Sequence, residues 1–356
     1  MDQLTYLNTA GTGLLSAAAL RAAADFQQKT TTDPSSAFLD WLDQQLPRLR
    51  KDTARLFDTR ADQIAFAPNF SFALSAVIGC LAGRVRKVLL YQNDYPSLTL
   101  PFELGPFDLH YVNDTDGFHI STEEIIAAID RHKIEVVALT HVQFLSGFKL
   151  DIQKIADYCR KSGTVFIVDG SQSMGAVPMS FDRLPIDVLI SSCYKWLNGG
   201  FGSAVLCIKK HFIDQFPPRI AGYGSMDKTD GRWQYRPSYK SFEPGHLNPP
   251  ALLQLHEGIR EKLERGLEAI YSHNNRLVRR LHDKIATLPF EIVGNGDLTN
   301  RLHILVFKAP ETVAAWLKQN GCEVTWRRDT IRVSPHFYNT EADIDRFADV
   351  LKKAPR

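Results

Sequence analysis

The segment 164–209 carries one acidic and one basic residue directly after apolar runs. Asp169 follows the run 165–168, and Lys195 comes soon after the run 188–190. Charges at the ends of buried strands are costly unless they are paired. We therefore expect the carboxylate and the amine to face one cleft, where an amine can condense with an aldehyde and an acid can hold a cationic ring nitrogen.

Two further groups complete the requirements of pyridoxal phosphate (PLP) chemistry, which are an imine lysine, an acid for the pyridinium nitrogen, phosphate donors and a cation for the substrate carboxylate. Asn69, Phe70 and Ser71 lie between a predicted strand and a predicted helix, so their amides and the Ser71 hydroxyl can bind a phosphate. Arg332 is placed to bind a carboxylate through two parallel hydrogen bonds. On this interpretation Lys195 forms the imine and Asp169 pairs with the pyridinium.

Alternating apolar runs and amphipathic stretches must position these residues. The pattern predicts strands at 64–67, 87–91, 109–112, 135–140, 165–169, 187–191 and 204–208 and helices at 70–81, 122–131 and 151–162. Such alternation is typical of an α/β fold with a mostly parallel sheet. Sites in these folds lie beyond the carboxyl ends of the strands.

The C-terminal part has a different pattern. Apolar residues show no regular spacing in 212–250. A long amphipathic helix with one break is predicted at 251–288. The elements predicted after this helix are, in order, strand 301–307, helix 311–320, strands 323–327 and 330–334, and helix 341–353. We expect an N-terminal arm (1–15) packing with the small domain, a large PLP-binding domain (16–255) and a small α+β domain (256–356).

Composition limits the other functions. The formal net charge is +2 from 42 basic and 40 acidic residues, which gives no general attraction to nucleic acid or membrane. Five scattered cysteines without a CxxC motif and eleven histidines without ligand spacing predict no metal site and a reducing, cytoplasmic location. Gly11-Thr12-Gly13 is followed by Ser16, so it is not a dinucleotide fingerprint.

The segment VDGSQSMGAVPMSF…DVLISSCYKWLNGGFGS resembles the cofactor region of class V aminotransferases, which have PLP fold type I and include cysteine desulfurases, selenocysteine lyases, kynureninases and isopenicillin-N epimerase-like proteins. The resemblance implies a large domain with a mostly parallel, mixed seven-stranded sheet and a smaller α+β C-terminal domain. It also implies that Lys195 forms the imine, that Asp169 pairs with the pyridinium and that Gln172 approaches the ring hydroxyl. Ser192 and Tyr194, which precede Lys195 in the chain, are implied to contact the phosphate.

The resemblance extends over nearly the whole chain. It implies that Tyr95 stacks on the cofactor ring, Gln143 lies beside the ring, and Asn8 and Arg332 bind substrate, with Arg332 holding its carboxylate. It also implies that His246 lies in a loop that reaches the phosphate of a second subunit. The resemblance thus implies a homodimer with shared active sites, for which the aromatic-rich region 220–250 is a candidate interface.

The expected function is that of a PLP-dependent enzyme acting on a small α-amino acid through an external aldimine. Lys195, displaced by the substrate, can move the α-proton, which suits transamination, epimerisation and β-elimination alike. A cysteine desulfurase or selenocysteine lyase activity is the alternative, although it needs a reactive thiol on a mobile loop and Cys322 fits a packing role better. A catalytically silent PLP-fold binding protein and a nicotinamide oxidoreductase are alternatives from other classes; intact Lys195 and Asp169 disfavour the first, and the missing fingerprint disfavours the second.

Overall fold

Short segments rich in aliphatic and β-branched residues form the strands, because such side chains pack well on a pleated surface. The computed structural model describes residues 4–294 and 296–355, so residues 1–3 of the predicted arm lie outside the described part. The strands are β1 Thr5–Tyr6, β2 Ile64–Ala67, β3 Lys87–Tyr91, β4 Asp108–Val112, β5 Val136–Thr140, β6 Val165–Asp169, β7 Val188–Ser192, β8 Ala204–Ile208, β9 Met226–Thr229, β10 Arg232–Tyr235, β11 Leu305–Lys308, β12 Cys322–Glu323, β13 Thr325–Arg327 and β14 Thr330–Val333.

The central sheet has seven strands in the order β2-β8-β7-β6-β5-β3-β4 among the described residues. Strand β8 is antiparallel to β2 and to β7. The remaining neighbours are parallel. This arrangement confirms the predicted mixed, mostly parallel sheet, and it sends the carboxyl ends of β2, β3, β5, β6 and β7 to one edge.

Amphipathic and apolar helices cover both faces of this sheet. The helices are α1 Ala17–Thr30, α2 Pro34–Asp40, α3 Leu46–Leu56, α4 Phe70–Leu81, α5 Pro96–Glu103, α6 Thr122–His132, α7 Ile152–Ser162, α8 Lys210–Gln215, α9 Pro249–Arg265, α10 Leu267–Ile285, α11 Glu311–Gln319 and α12 Glu341–Lys352. Residues of α3, α6, α7 and α9 share one apolar core with one face of the sheet. Residues of α4, α5 and α8 pack on the other face. None of the helices in the described ranges is long and apolar enough to cross a membrane.

The C-terminal part has its own core around a three-stranded antiparallel sheet, β11-β14-β13. Residues of α10, α11 and α12 cover this sheet together with Leu7 from the N-terminal segment. Strand β1 joins the same region, because it pairs in parallel with β12. The smaller α+β unit that the sequence predicts is therefore present.

The break predicted in the long helix lies at Gly266, whose φ of +79° lies in the region that favours glycine. The structure differs from the sequence prediction in the C-terminal strands and in the region 212–250. The single predicted strand 323–327 is divided, since Cys322 and Glu323 pair with β1 whereas Thr325–Arg327 pair with β14. The region 212–250 includes an exposed antiparallel hairpin, β9–β10, which has no clear alternation of apolar residues to reveal it.

Candidate active site

The ends of β6 and β7 bring an acid and an amine into one buried site. Asp169 is the last residue of β6, and Lys195 follows β7; the two are 3% and 7% exposed. Burial raises the pKa of Asp169, and the nearby Lys195 opposes this rise. Burial lowers the pKa of Lys195 to about 8, with Asp169 opposing and Arg332 reinforcing the change. The amine is therefore easily made neutral and nucleophilic.

Two aromatic rings flank this amine. Lys195 Nζ lies 5.3 Å from the centroid of the Tyr95 ring and 5.8 Å from that of Tyr194. Asp94 holds the Tyr95 backbone in place, because its carboxylate accepts hydrogen bonds from the backbone nitrogens of Tyr95 (2.8 Å) and Thr140 (3.0 Å). Sequence reasoning missed Asp94, although it directly precedes Tyr95; burial raises its pKa to about 6.

A second unpredicted residue, Ser171, links the acid to the end of β7. Its backbone nitrogen donates to Asp169 Oδ1 at 2.7 Å, and its hydroxyl oxygen accepts from the backbone nitrogen of Ser192 at 3.0 Å. These bonds fix the orientation of the Asp169 carboxylate relative to Ser192. The signal in the sequence was only its position inside the DGSQ segment.

The turn between β2 and α4 lies at the same edge, since β2 and β7 run in the same direction on either side of β8. Asn69 caps α4 by accepting a hydrogen bond from the backbone nitrogen of Phe72 at 2.8 Å. Phe70 is buried and anchors the turn, whereas Ser71 is exposed in the first turn of the helix. Free amides at a helix N-terminus favour an anion such as phosphate.

The two predicted glutamines behave differently. The Gln172 amide is already used by the protein, because Nε2 donates to Ala10 O at 3.0 Å and Oε1 accepts from Trp196 Nε1 at 2.6 Å. Gln143 is 2% exposed, and both its amide atoms lack a partner among the described residues. A buried amide without a partner is costly, so it indicates that a ligand satisfies it.

The substrate-side residues form a separate hydrogen-bonded group on the small sheet. Arg332 donates through Nη1 to Phe144 O at 2.9 Å and through Nη2 to Thr325 Oγ1 at 3.3 Å. Thr325 in turn donates to Asn8 Oδ1 at 2.6 Å. The buried Nε atom of Arg332 has no partner in the described part of the chain. Thr325 was missed because only strand pairing reveals it.

The N-terminal segment lies directly against the backbone of the candidate imine lysine. Gly13 donates from its backbone nitrogen to Tyr194 O at 2.7 Å. A Cβ atom at Gly13 would lie only 2.0 Å from Lys195 O. Gly13 is thus required because the two backbones pack too closely for any side chain.

His246 is exposed, on the loop that follows Phe242. Its ring contacts Phe38 edge to face, with 4.9 Å between centroids. It also lines a cavity of about 280 Å³ with Ala67, Pro68 and Gly202, next to the turn at Asn69. The structure holds one chain, so the predicted contact of His246 with a second subunit stays a prediction.

These residues fit PLP in the kinds of group they supply. A buried amine of lowered pKa, a buried acid, a helix N-terminus and an unpartnered amide meet at one sheet edge. Among the described residues, no cluster of His, Cys, Asp and Glu could hold a metal ion. The fold is that of a fold type I PLP-dependent enzyme, and this edge supplies the kinds of group that such an enzyme needs.

Comparison with known proteins agrees with this assignment. The family model for aminotransferase class-V matches residues 5–347, and the chain belongs to this family. A probable cysteine desulfurase of Pyrococcus abyssi is 24% identical over 329 residues, covering 85% of this chain and 82% of the relative. A kynureninase of Geobacillus thermodenitrificans is 28% identical over 295 residues, covering 76% and 68%. The predicted family, its PLP cofactor and its enzymatic nature are thereby confirmed.

A solved structure with low sequence identity supports the fold. The cysteine desulfurase of Thermococcus onnurineus NA1 superposes with a TM-score of 0.89 at 22% sequence identity. The match covers 98% of this chain and 94% of that structure. The same architecture therefore extends over essentially the whole chain.

Proposed function

We propose that this protein binds PLP through Lys195 and acts on the amino group of a small α-amino acid whose carboxylate is bound by Arg332. The observation that carries the proposal is the buried pair Asp169 and Lys195, with Arg332 close enough to influence the lysine pKa. PLP, when bound, serves as the electron sink for charge that develops at the substrate α-carbon.

The protein's own residues have distinct roles in this proposal. Asp169 keeps the pyridine nitrogen protonated, and Gln143 and Tyr95 bind the ring. Gln172 approaches the ring hydroxyl with the second amide hydrogen, which its bonds to Ala10 and Trp196 leave free. Phosphate is held by Ser192, Tyr194 and the turn Asn69-Phe70-Ser71, with His246 acting on the site of a second subunit in a homodimer. Lys195 Nζ would take up and release the α-proton of the bound substrate, because its lowered pKa suits both directions of proton transfer near neutrality.

Substrate binding is assigned to the group that joins the two parts of the chain. Arg332 offers its guanidinium to the carboxylate, while Thr325 and Asn8 fix its orientation through hydrogen bonds. We also assign the domain division as an arm at 1–15, a large domain at 16–255 and a small domain at 256–356. On this division, the substrate carboxylate is held by the small domain and the cofactor by the large one.

A thiol relay of the kind used to accept sulfur is less well supported. All five cysteines, Cys80, Cys159, Cys193, Cys207 and Cys322, are buried. Cys322 is 1% exposed in β12, and burial raises the pKa of its thiol. A thiol of this kind is poorly ionised and poorly accessible. We therefore rank proton transfer at the α-carbon, as in transamination, epimerisation or β-elimination, above persulfide formation on a cysteine.

The visible absorption spectrum of the purified protein with added PLP tests the proposal. We expect wild type to develop a yellow band that is altered in Lys195→Ala, and one class of amino acid to perturb the band. Lys209→Ala is a matched control: this lysine follows β8, and its amine bonds Phe181 O at 2.7 Å, outside the site. A wild type that takes up no PLP, or a Lys195→Ala band identical to that of wild type, would disprove the assignment.

A further inference from the structure

The pairing of β13 with β14 places a second arginine beside Arg332. Thr325 lies opposite Arg332, and Arg327 lies opposite Thr330. Side chains of residues two apart on a strand share a face, and directly paired residues share it too. Arg327, Arg332, Thr325 and Thr330 therefore project from one face of the hairpin, while Trp326 and Ile331 pack into the core on the other.

Arg327 has no carboxylate at ion-pair distance among the residues of the described ranges, unlike Arg280, which is held by Asp345 and Glu341. Its positive charge acts on Arg332, whose pKa is lowered to about 10 by burial and further by Arg327. Two guanidinium groups on one face repel each other unless an anion lies between or beside them. The hairpin thus concentrates more positive charge than one α-carboxylate needs.

A continuous aromatic path connects Arg327 with the candidate imine lysine. Lys195 Nζ lies 5.3 Å from the Tyr95 ring, and Tyr95 contacts the Phe144 ring edge to face at 5.1 Å. The guanidinium carbon of Arg327 lies 5.5 Å from the centroid of that same Phe144 ring. Arg332 is bonded to the Phe144 carbonyl, so both arginines border the same residue.

We propose that the substrate of this enzyme carries a second anionic group, a side-chain carboxylate or its equivalent, which Arg327 binds while Arg332 holds the α-carboxylate. The inference rests on the proposed function and specifies its substrate class as acidic α-amino acids. The rings of Tyr95 and Phe144 provide an apolar wall for the carbon atoms between the reacting centre and the distal anion. Arg327 is the specificity-determining residue, whereas Arg332 binds every α-amino acid.

Ligand pairs of equal shape and different charge test this proposal on the holoenzyme. We would titrate the visible band with L-glutamate against L-glutamine and L-aspartate against L-asparagine. Calorimetry with the unreactive anions succinate and glutarate against butyrate gives a readout independent of turnover. In wild type we expect the acidic member to bind roughly tenfold more tightly, as a charge-assisted hydrogen bond supports.

The variants Arg327→Gln, Arg327→Lys and Arg328→Gln separate the site from general surface charge. We expect Arg327→Gln to abolish the preference with little change for the neutral amino acids, and Arg327→Lys to keep part of it. Arg328 has the same charge in the adjacent turn and is the matched control, so Arg328→Gln should keep the preference. A wild type without charge preference, or equal losses in Arg327→Gln and Arg328→Gln, would overturn the inference.

The two proposals fail in different ways. A protein that takes up PLP and responds to amino acids, yet treats acidic and neutral ligands alike, disproves only the role of Arg327. A protein that forms no cofactor band disproves the proposed function, and calorimetry with succinate on the same sample then still measures whether Arg327 binds an anion.

Discussion

The sheet edge at Asp169 and the hairpin β13–β14 supply the two halves of the candidate site in different ways. Asp169 and Lys195 are nearly inaccessible. Asp169 is held by the pairing of β6 with β7, and Lys195 lies in the turn beyond β7. Arg327 is exposed, and Arg332 is held by hydrogen bonds to Phe144 and Thr325, with no carboxylate partner in the described part of the chain. On the proposed assignment, the cofactor chemistry lies in the buried core, whereas the choice of substrate depends on the small sheet at its border.

Neutralising the acid is the strongest way to break the cofactor half. Losing one partner of a buried charge pair costs about 2–5 kcal/mol, so Asp169→Asn should lower kcat/KM roughly hundredfold or more for every substrate. Steady-state kinetics with several amino acids measures this. Asp187→Asn is the control at the opposite end of β7, where its carboxylate accepts a hydrogen bond from Phe166 N at 2.7 Å; it should leave kcat/KM nearly unchanged. Activity of Asp169→Asn within tenfold of wild type would contradict the assignment.

Removing the guanidinium of Arg332 should damage the substrate half while sparing the cofactor half. A hydrogen bond to a charged group contributes about 1.5–3 kcal/mol, so Arg332→Gln should raise KM for acidic and neutral amino acids alike by roughly tenfold to a hundredfold. The cofactor band should keep its intensity. Arg280→Gln is the control, because this guanidinium lies in α10 and pairs with Asp345 and Glu341. If Arg332→Gln weakened PLP binding as much as it weakened substrate binding, the two halves of the site would not be separable.

The pH dependence of cofactor uptake tests how the two halves influence each other, with a smaller expected effect than the two substitutions above. Lys195 reacts with the aldehyde only when it is neutral, and its pKa is lowered to about 8, chiefly by burial. The uptake rate of the cofactor-free protein should therefore rise with pH and level off above about 8. Because Arg332 lowers this pKa and Asp169 raises it, Arg332→Gln should move the plateau to higher pH and Asp169→Asn to lower pH. The growth of the yellow band measures the rate; unchanged profiles in both variants would refute the coupling.

The central sheet and the candidate residues at its carboxyl edge are predictable from the sequence alone. Asp169 and Lys195 could be placed because each follows an apolar run, and the carboxyl ends of parallel strands meet at one edge. Likewise, Asn69 precedes a helix and caps it, which is a local relation between neighbours in the chain. The sequence also predicts one break in the long helix, and the structure adds only that the break lies at Gly266. A glycine within an amphipathic pattern is a common position for such a break.

Contacts between distant segments were decided only by the tertiary structure. Thr325 bonds Asn8 across 317 positions of the chain, and Arg332 bonds Phe144 across 188. Arg327 shares the face of Thr325 and Arg332 through the hairpin register. Periodicity shows which side of an element is buried, but it does not show which other segment covers that side. Register and packing alone bring a second cation to the aromatic wall beside Lys195, and so the substrate class could be inferred only from the folded chain.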